Sequence, residues 1–298
     1  MNAYSSYHDC EPDFSPPLSL VDRGRLWCAL ARADATEPLA QIATALVARL
    51  EDIRLQPGHI LDLGDRSGVV AALSHSRWPQ ASLTRVGLDP VTPRRFPPHP
   101  NPGEAPHPAL TADLAHLPLA DASFDLVISN MALHWCAEPG PVFREVRRVL
   151  RPEGMFLFTT CGDETLKELR RALATLDQQR HGRMWPRVLA TPDMRRVGDD
   201  LIASGLAIPV MDRDYHRLAF PSVSDLLRRL KHLGAGNHHH VRHPGLTGKG
   251  FVHELEAIYR SLYPQPDGSI QATLEVYFGH ACRMDHHKRR SRTCGVKF

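Results

Sequence analysis

A short segment around residue 65 combines residue types that bind nucleosides. Residues 62–68 read Asp-Leu-Gly-Asp-Arg-Ser-Gly, after an apolar run that begins at His59 and before a helical stretch that begins at Val69. Glycines between a strand and a helix let the backbone approach a ligand, and the helix N-terminus favours polar or anionic groups. Two glycines four residues apart, Gly64 and Gly68, also occur in ordinary tight turns. The segment alone leaves both interpretations open.

Two acidic residues further along the chain extend the nucleoside interpretation. Asp89 ends the second predicted strand, where a carboxylate can accept both hydroxyls of a ribose. Asp113 and Leu114 follow a predicted third strand, where the carboxylate can accept from an adenine amino group and the leucine can cover the ring. On its own, Asp113 fits the capping of a helix or loop equally well. Taken together with the glycine segment, these residues favour a nucleoside ligand.

The elements that must position these residues alternate between strand and helix. Apolar residues recur every three or four positions from Leu39 to Leu50 and again from Val142 to Leu150, which predicts helices. Short apolar runs predict strands at residues 59–64, 82–88, 124–129 and 155–160. A run of Arg-Pro-Glu-Gly at 151–154 predicts a turn. Alternation with short connections predicts a parallel α/β sheet.

The second half of the chain has longer helical patterns. We predict helices at residues 163–179, 191–204, 222–233 and 249–263, and strands at 210–220 and 270–281. Residues 1–24 are polar and without periodicity, which predicts a loose arm. Residues 25–283 are predicted to form one domain, with helices on the substrate side within about 163–265, and residues 284–298 a basic tail.

Composition and charge exclude several classes of protein. The 298 residues are 42% hydrophobic and 23% charged, which excludes a mainly disordered chain. No apolar run reaches the roughly 20 residues of a membrane helix, and no secretory signal is visible, so we expect a cytoplasmic protein without a membrane partner. The formal charge of +3 divides into +5 on residues 283–298 and −2 on the rest. A body of that charge gives no general reason to bind nucleic acid.

Two features that could suggest a metal site do not support one. The six cysteines include no C-x-x-C pair, so they are expected to be free thiols. Three consecutive histidines, His238 to His240, cannot readily point at one ion from an irregular loop, even with His243 close by. We predict no metal.

Three linked motifs resemble the class I S-adenosylmethionine-dependent methyltransferases. They are residues 112–130, 131–135 and 150–154, in the usual order and at the usual spacing. The resemblance implies an α/β fold with a Rossmann-like, doubly wound, mostly parallel seven-stranded sheet and an antiparallel last strand. It also implies S-adenosyl-L-methionine as cofactor. The residues that would bind it are Asp62, Gly64, Gly68, Asp89, Asp113, Leu114 and Asn130.

A narrower resemblance is to the malonyl-[acyl-carrier protein] O-methyltransferases of biotin synthesis. It rests on residues 130–136 and 158–160 and, in the second half, on residues 230–237, 245–249 and 272–280. It implies methylation of the free carboxylate of a malonyl thioester on acyl-carrier protein or coenzyme A, with His134 and Trp135 as positioning candidates. An anionic substrate on an acidic carrier needs cationic partners. The basic candidates for substrate binding are Arg228, Arg229, Lys231, His232, Arg242 and Lys249. The alternative interpretation is that these residues only form a solvated helix face.

The chain departs from this family around the cofactor. Arg66 stands at the middle glycine of the usual loop, where a long side chain is expected to crowd the methionine end of the site. Asp65 replaces a small residue. Eight prolines follow Asp89 where relatives form a helix, and no tyrosine follows Arg32 in the N-terminal arm. Weak or lost activity is therefore one expectation.

Two alternative functions remain open from the sequence. Residues 267–273 resemble the closing pattern of methyltransferase-fold protein-arginine hydroxylases of complex I assembly. Residues 245–249 favour the carboxyl methyltransferase instead. Arg66 also suits a non-catalytic member of the fold that only binds a partner.

Overall fold

Seven strands form one sheet in the part of the chain that the structure describes. This computed structural model describes residues 36–50, 53–88, 108–136, 138–188, 190–237 and 248–284. The strand order is β3-β2-β1-β4-β5-β7-β6. The strands are β1 (His59–Asp65), β2 (Ser82–Gly87), β3 (Ala109–Thr111), β4 (Phe124–Asn130), β5 (Leu150–Cys161), β6 (Ala207–Phe220) and β7 (Ile270–Cys282).

Helices cover both faces of the sheet. They are α1 (Thr36–Ala48), α2 (Val69–Arg77), α3 (Pro139–Val149), α4 (Lys167–His181), α5 (Met194–Ala203), α6 (Val223–His232) and α7 (Lys249–Leu262). The central strands are short and apolar on both sides, so each side needs a helical layer. One face packs against α1 and α2 around Leu46 and Ile128. The other packs against α3 and α5 around Phe143 and Phe156.

Strand β7 is antiparallel to both of its neighbours, while β1 to β5 pair in parallel. It pairs with β5 only from Val276 to Cys282, whereas its pairing with β6 continues back to Ile270. Helices α4, α6 and α7 enclose a third apolar cluster with Ile270 and Ala272 on this extension. The predicted doubly wound, seven-stranded sheet with an antiparallel last strand is confirmed, with helices added beside that strand.

The structure corrects one local prediction. Residues 151–154 do not separate α3 from a later strand, because β5 already begins at Leu150. The backbone does turn there, since Glu153 has a φ of 67°. However, the amide of Glu153 donates to the carbonyl of Arg283, and the amide of Arg283 donates to the carbonyl of Gly154. Pairing with the chain after β7 therefore holds these residues in the ladder.

Several predictions concern residues outside the described ranges. These are the loose arm, the prolines after Asp89, the histidine run at 238–240 and most of the basic tail. The proposed division into arm, domain and tail stays a prediction. Among the described residues, no helix has the length and apolar character needed to cross a membrane.

Candidate functional site

The candidate site is the crevice at the carboxyl ends of β1 and β4. The strand order reverses at this point, with β2 and β3 on one side of β1 and β5 on the other side of β4. Open α/β sheets bind ligands at such a reversal, because the connections from the two strands leave on opposite faces. The loop after β1 and the segment after β4 therefore face each other across this crevice.

Gly64 occupies a position where a side chain does not fit. Its φ is +82°, in the left-handed region that glycine adopts most readily. A Cβ atom there would overlap the Cβ of Ala132 and lie 3.4 Å from the side chain of Leu114. Gly68, with a φ of 68°, begins α2. The two glycines thus bring the loop backbone against the segment that follows β4.

Asp65 organises the loop from within. Its Oδ1 accepts from the amides of Ser67 (3.1 Å) and Gly68 (2.8 Å). Its Oδ2 accepts from Arg85 Nε (2.8 Å) and also from Arg85 Nη2, in a pair that is almost completely buried. The sequence shows Asp65 only as a departure from the family. A lone arginine within the apolar strand β2 is the signal that an acidic partner lies nearby.

Asp62 has a buried carboxylate oxygen that finds no hydrogen-bond partner within the described part of the chain. The residue is 1% exposed, and its Oδ2 makes no hydrogen bond among the described residues. Burial raises the pKa of Asp62 well above its ordinary value, the charge of Asp65 raises it further, and Arg85 acts in the opposite direction. An orphaned oxygen beside the glycine loop fits a polar ligand group at this edge.

The side chain of Arg66 leaves the loop and crosses the crevice. Its Nη2 donates to the carbonyl of Leu233 (3.1 Å), the residue that follows α6. Its guanidinium carbon lies 5.6 Å from the centre of the Trp135 ring, and the residue is only 8% exposed. Arg66 therefore connects the predicted cofactor loop to the helices on the far side of the crevice.

His134 and Trp135 lie on a short 3-10 turn after β4. Their ring centres are 4.6 Å apart, and neither His134 Nδ1 nor Trp135 Nε1 finds a hydrogen-bond partner within the described ranges, although both atoms are buried. Burial, together with the charge of Arg66, lowers the pKa of His134 to about 3. The imidazole is therefore neutral at physiological pH. A small apolar cavity beside it is lined by Leu133, Phe143 and Thr160, among others.

Three further predicted cofactor residues make contacts within the fold. Asn130 donates through Nδ2 to the carbonyl of Leu39 (2.9 Å) and accepts at Oδ1 from Thr159 (2.8 Å), so it joins α1, β4 and β5. Asp113 accepts from the amide of Ala115 (3.0 Å), which is the loop-capping role left open by the sequence. Leu114 is fully buried against Gly64. Their roles toward a ligand stay predictions.

The predicted basic substrate residues divide into two groups. Arg228, Arg229, Lys231 and His232 are all exposed on α6, and Arg228 pairs with Asp225 one turn earlier. The end of this helix lies at the crevice, because the next residue, Leu233, accepts from Arg66. Asp89, Arg242 and the side chain of Lys249 lie outside the described residues. Within the described ranges, no three His, Cys, Asp or Glu side chains are placed to hold a metal ion.

Solved structures share this architecture. The YcgJ protein from Bacillus subtilis superposes with a TM-score of 0.53 at 15% identity, over 82% of this chain and 99% of that one. A putative methyltransferase from Bacillus halodurans gives 0.54 at 15% identity, over 83% and 99%. At this identity the similarity establishes the fold, which is that of the class I methyltransferases.

Sequence relatives have a much higher identity to the chain. The family described as "Methyltransferase domain" matches residues 61–158. Malonyl-[acyl-carrier protein] O-methyltransferases from Methylovorus sp. and Laribacter hongkongensis are 35% and 37% identical to this chain. The first match covers 88% of this chain and 89% of the relative, and the second 91% and 92%. The chain therefore belongs to the malonyl-[acyl-carrier protein] O-methyltransferase family.

Proposed function

We propose that this protein transfers the methyl group of S-adenosylmethionine to the free carboxylate of a malonyl thioester, as an early step of biotin synthesis. The observation that carries the proposal is the extent of the match to relatives with this name, which spans about nine-tenths of the chain. Such a match includes α4, α6 and α7 over the crevice as well as the sheet. We further propose that the protein acts in the cytoplasm on a thioester of acyl-carrier protein or coenzyme A.

The crevice has features that fit the cofactor. Gly64 and Gly68 allow close approach of the backbone, and the buried Asp62 oxygen, which has no partner among the described residues, suits a polar group of the ligand. Leu114 would cover the adenine, with Asp113 and Asp89 for its amino group and the ribose hydroxyls. When bound, S-adenosylmethionine supplies a methyl group on a positively charged sulfur.

The proposed reaction depends little on acid or base catalysis by the protein. A malonyl carboxylate is already ionised at neutral pH, so no base is needed to generate the nucleophile. Rate enhancement would come from alignment of the carboxylate oxygen with the methyl group and from exclusion of water. The neutral ring of His134 and the indole of Trp135, both partly buried, would line this part of the crevice and exclude water from it.

The proposed activity can be tested directly. Purified protein is incubated with malonyl-acyl-carrier protein and S-adenosylmethionine labelled on the methyl group. We expect a labelled methyl ester that is released as methanol by alkali. Acetyl-acyl-carrier protein, which has no free carboxylate, serves as the control substrate. If no labelled ester forms under conditions where a malonyl-[acyl-carrier protein] O-methyltransferase from a relative is active, the proposal is wrong.

The proposed reaction should be insensitive to the titration of His134. Because its pKa is lowered to about 3, the ring stays neutral through the physiological range. With malonyl-pantetheine as substrate, we expect kcat/KM to stay constant within about twofold from about pH 6 to pH 9. The variant His134→Asn should show the same flat profile at its own activity level. An inflection near pH 6.5 in the wild type that His134→Asn lacks would contradict the buried, neutral assignment.

The exposed basic residues of α6 should act mainly on a protein carrier. We expect Arg229→Glu combined with Lys231→Glu to raise KM for malonyl-acyl-carrier protein roughly tenfold at low salt. The two substitutions replace positive charges on α6 with negative ones, which would repel an acidic carrier protein. The KM for malonyl-pantetheine should change little. A matched control is Arg195→Glu with Arg196→Glu, two exposed arginines on α5. Equal effects of both double variants would mean that the residues on α6 are merely solvated.

A further inference from the structure

The two ring nitrogens of His134 have different surroundings. Nδ1 is buried and finds no hydrogen-bond partner in the described part of the chain. The residue as a whole is partly exposed, and Nε2 is not one of the buried atoms that lack a partner. Since Nε2 also makes no hydrogen bond to a described residue, it is the nitrogen that solvent or a ligand can reach. We infer that His134 presents an N–H at Nε2 to the crevice and that this donor binds the carboxylate of the substrate, an inference that rests on the proposed function.

The single proton of the neutral ring belongs on Nε2. Burial, and then the charge of Arg66, lowers the pKa of His134 to about 3, so one nitrogen carries a proton and the other a lone pair. A buried N–H without an acceptor costs about 1–3 kcal/mol, and such groups are rarer in proteins than under-used acceptors. Because Nδ1 has no acceptor within reach among the described residues, a proton there would stay unpaired, whereas a proton on Nε2 can be donated.

The turn that carries His134 lies against the predicted cofactor loop. Ala132, two residues earlier, is the residue that a Cβ atom at Gly64 would overlap. The ring of Trp135 packs beside the ring of His134, with centres 4.6 Å apart and planes tilted by 46°. The donor is therefore held at the end of β4 next to the loop, where the substrate carboxylate would meet the methyl group.

A neutral donor suits the charge change of the proposed reaction. One carboxylate oxygen forms a bond to the methyl carbon while the bond from that carbon to sulfur breaks, and its electron pair stays on sulfur. No proton moves, and the carboxylate becomes a neutral ester. A full positive charge beside it would stabilise the reactant more than the transition state, whereas an N–H without net charge holds one oxygen with less of this penalty. The contact does not require Arg66, whose guanidinium donates to the carbonyl of Leu233.

Nuclear magnetic resonance tests the donor directly. Long-range proton–nitrogen correlation spectra are recorded on protein labelled with ¹⁵N-histidine and saturated with S-adenosylhomocysteine. The signals of His134 are identified by their loss in His134→Gln. We expect the pattern of an imidazole protonated at Nε2, and a shift of the Nε2 signal when malonyl-pantetheine is added. Acetyl-pantetheine, which lacks the carboxylate, should leave that signal in place.

Binding measurements test the contact with the carboxylate. Calorimetry on the same complex gives the dissociation constants for malonyl-pantetheine and for its methyl ester. We expect the wild type to prefer the malonyl compound and His134→Phe to reduce that preference roughly tenfold, because a hydrogen bond to a charged acceptor is lost. His134→Gln, whose amide nitrogen can take the place of Nε2, should keep most of the preference. His134→Asn, whose shorter amide corresponds to Nδ1, should not.

Three outcomes would overturn the inference. They are protonation at Nδ1 in the spectra, a preference in His134→Phe equal to that of the wild type, and equal preferences in His134→Gln and His134→Asn. The last comparison decides the question if His134→Phe does not fold. Failure of the proposed function looks different, since the wild type would then form no labelled ester from malonyl-acyl-carrier protein.

Discussion

Replacing Arg85 with leucine is expected to lower the free energy of unfolding by about 3–5 kcal/mol. The guanidinium of Arg85 and the carboxylate of Asp65 are almost completely buried together, and Asp62 lies beside them on β1, paired in register with Arg85. Removal of the cation leaves the buried carboxylate of Asp65 without its arginine partner, next to the buried carboxyl group of Asp62. Urea unfolding of the purified variant, compared with the wild type, measures the change.

The partner substitution separates charge from packing. In Asp65→Asn with Arg85→Leu both charges are gone, while the Asn Oδ1 can still accept from the amides of Ser67 and Gly68. This double variant is expected to be more stable than Arg85→Leu alone. As a control, replacement of the exposed Arg195 with leucine should lower the free energy of unfolding by less than about 0.5 kcal/mol. A cost for Arg85→Leu no larger than this control would refute the interpretation of Asp65 and Arg85 as a buried pair.

A similarly large effect is expected from Gly64→Ala, which should cost about 2–4 kcal/mol of stability. The substitution combines a positive φ with overlap of the new methyl group and Ala132. Gly182 provides the matched control, because it has a φ of +65° and a Cβ atom added there would meet nothing within 4 Å. Gly182→Ala should therefore show the backbone strain alone. Urea unfolding of both variants isolates the cost of the close approach.

A compensating variant tests the same contact from the other side. Ala132→Gly removes the methyl group that Gly64→Ala would meet, so the double variant should recover the part of the loss that exceeds the strain seen in Gly182→Ala. No recovery would mean that backbone conformation, and not contact with the segment after β4, requires glycine at this position.

The fold can be predicted from the sequence because its signals are local. The apolar runs of β1 and β4 and the helical spacing of α1 identify buried elements without reference to distant residues. The failure at residues 151–154 has a physical cause. The turn signal is real, since Glu153 has a positive φ, but the pairing partner at Arg283 lies more than a hundred residues away.

The candidate site is only partly predictable for the same reason. The glycines indicate a loop, but the sequence cannot show that Arg66 reaches Leu233, which is 167 residues later. Likewise, family resemblance assigns Asn130 to the cofactor, whereas its observed partners are Leu39 and Thr159. Arg85 is detectable as a charge in an apolar strand, yet the sheet pairing aligns it with Asp62, and only the side-chain contacts show that its partner is Asp65.

Strand β7 determines how far α4, α6 and α7 lie from the loop after β1. Its residues from Val276 onward belong to the ladder with β5, and the preceding Ile270 and Ala272 pack against α4, α6 and α7. A slip of two residues in this pairing, the smallest that keeps each side chain on its own face of the sheet, would displace those helices by about 7 Å relative to the loop after β1. The contact between Arg66 and Leu233 would not survive such a slip. The distance between the loop after β1 and the C-terminal end of α6 therefore depends on backbone pairing, so an insertion or deletion in β7 would change it.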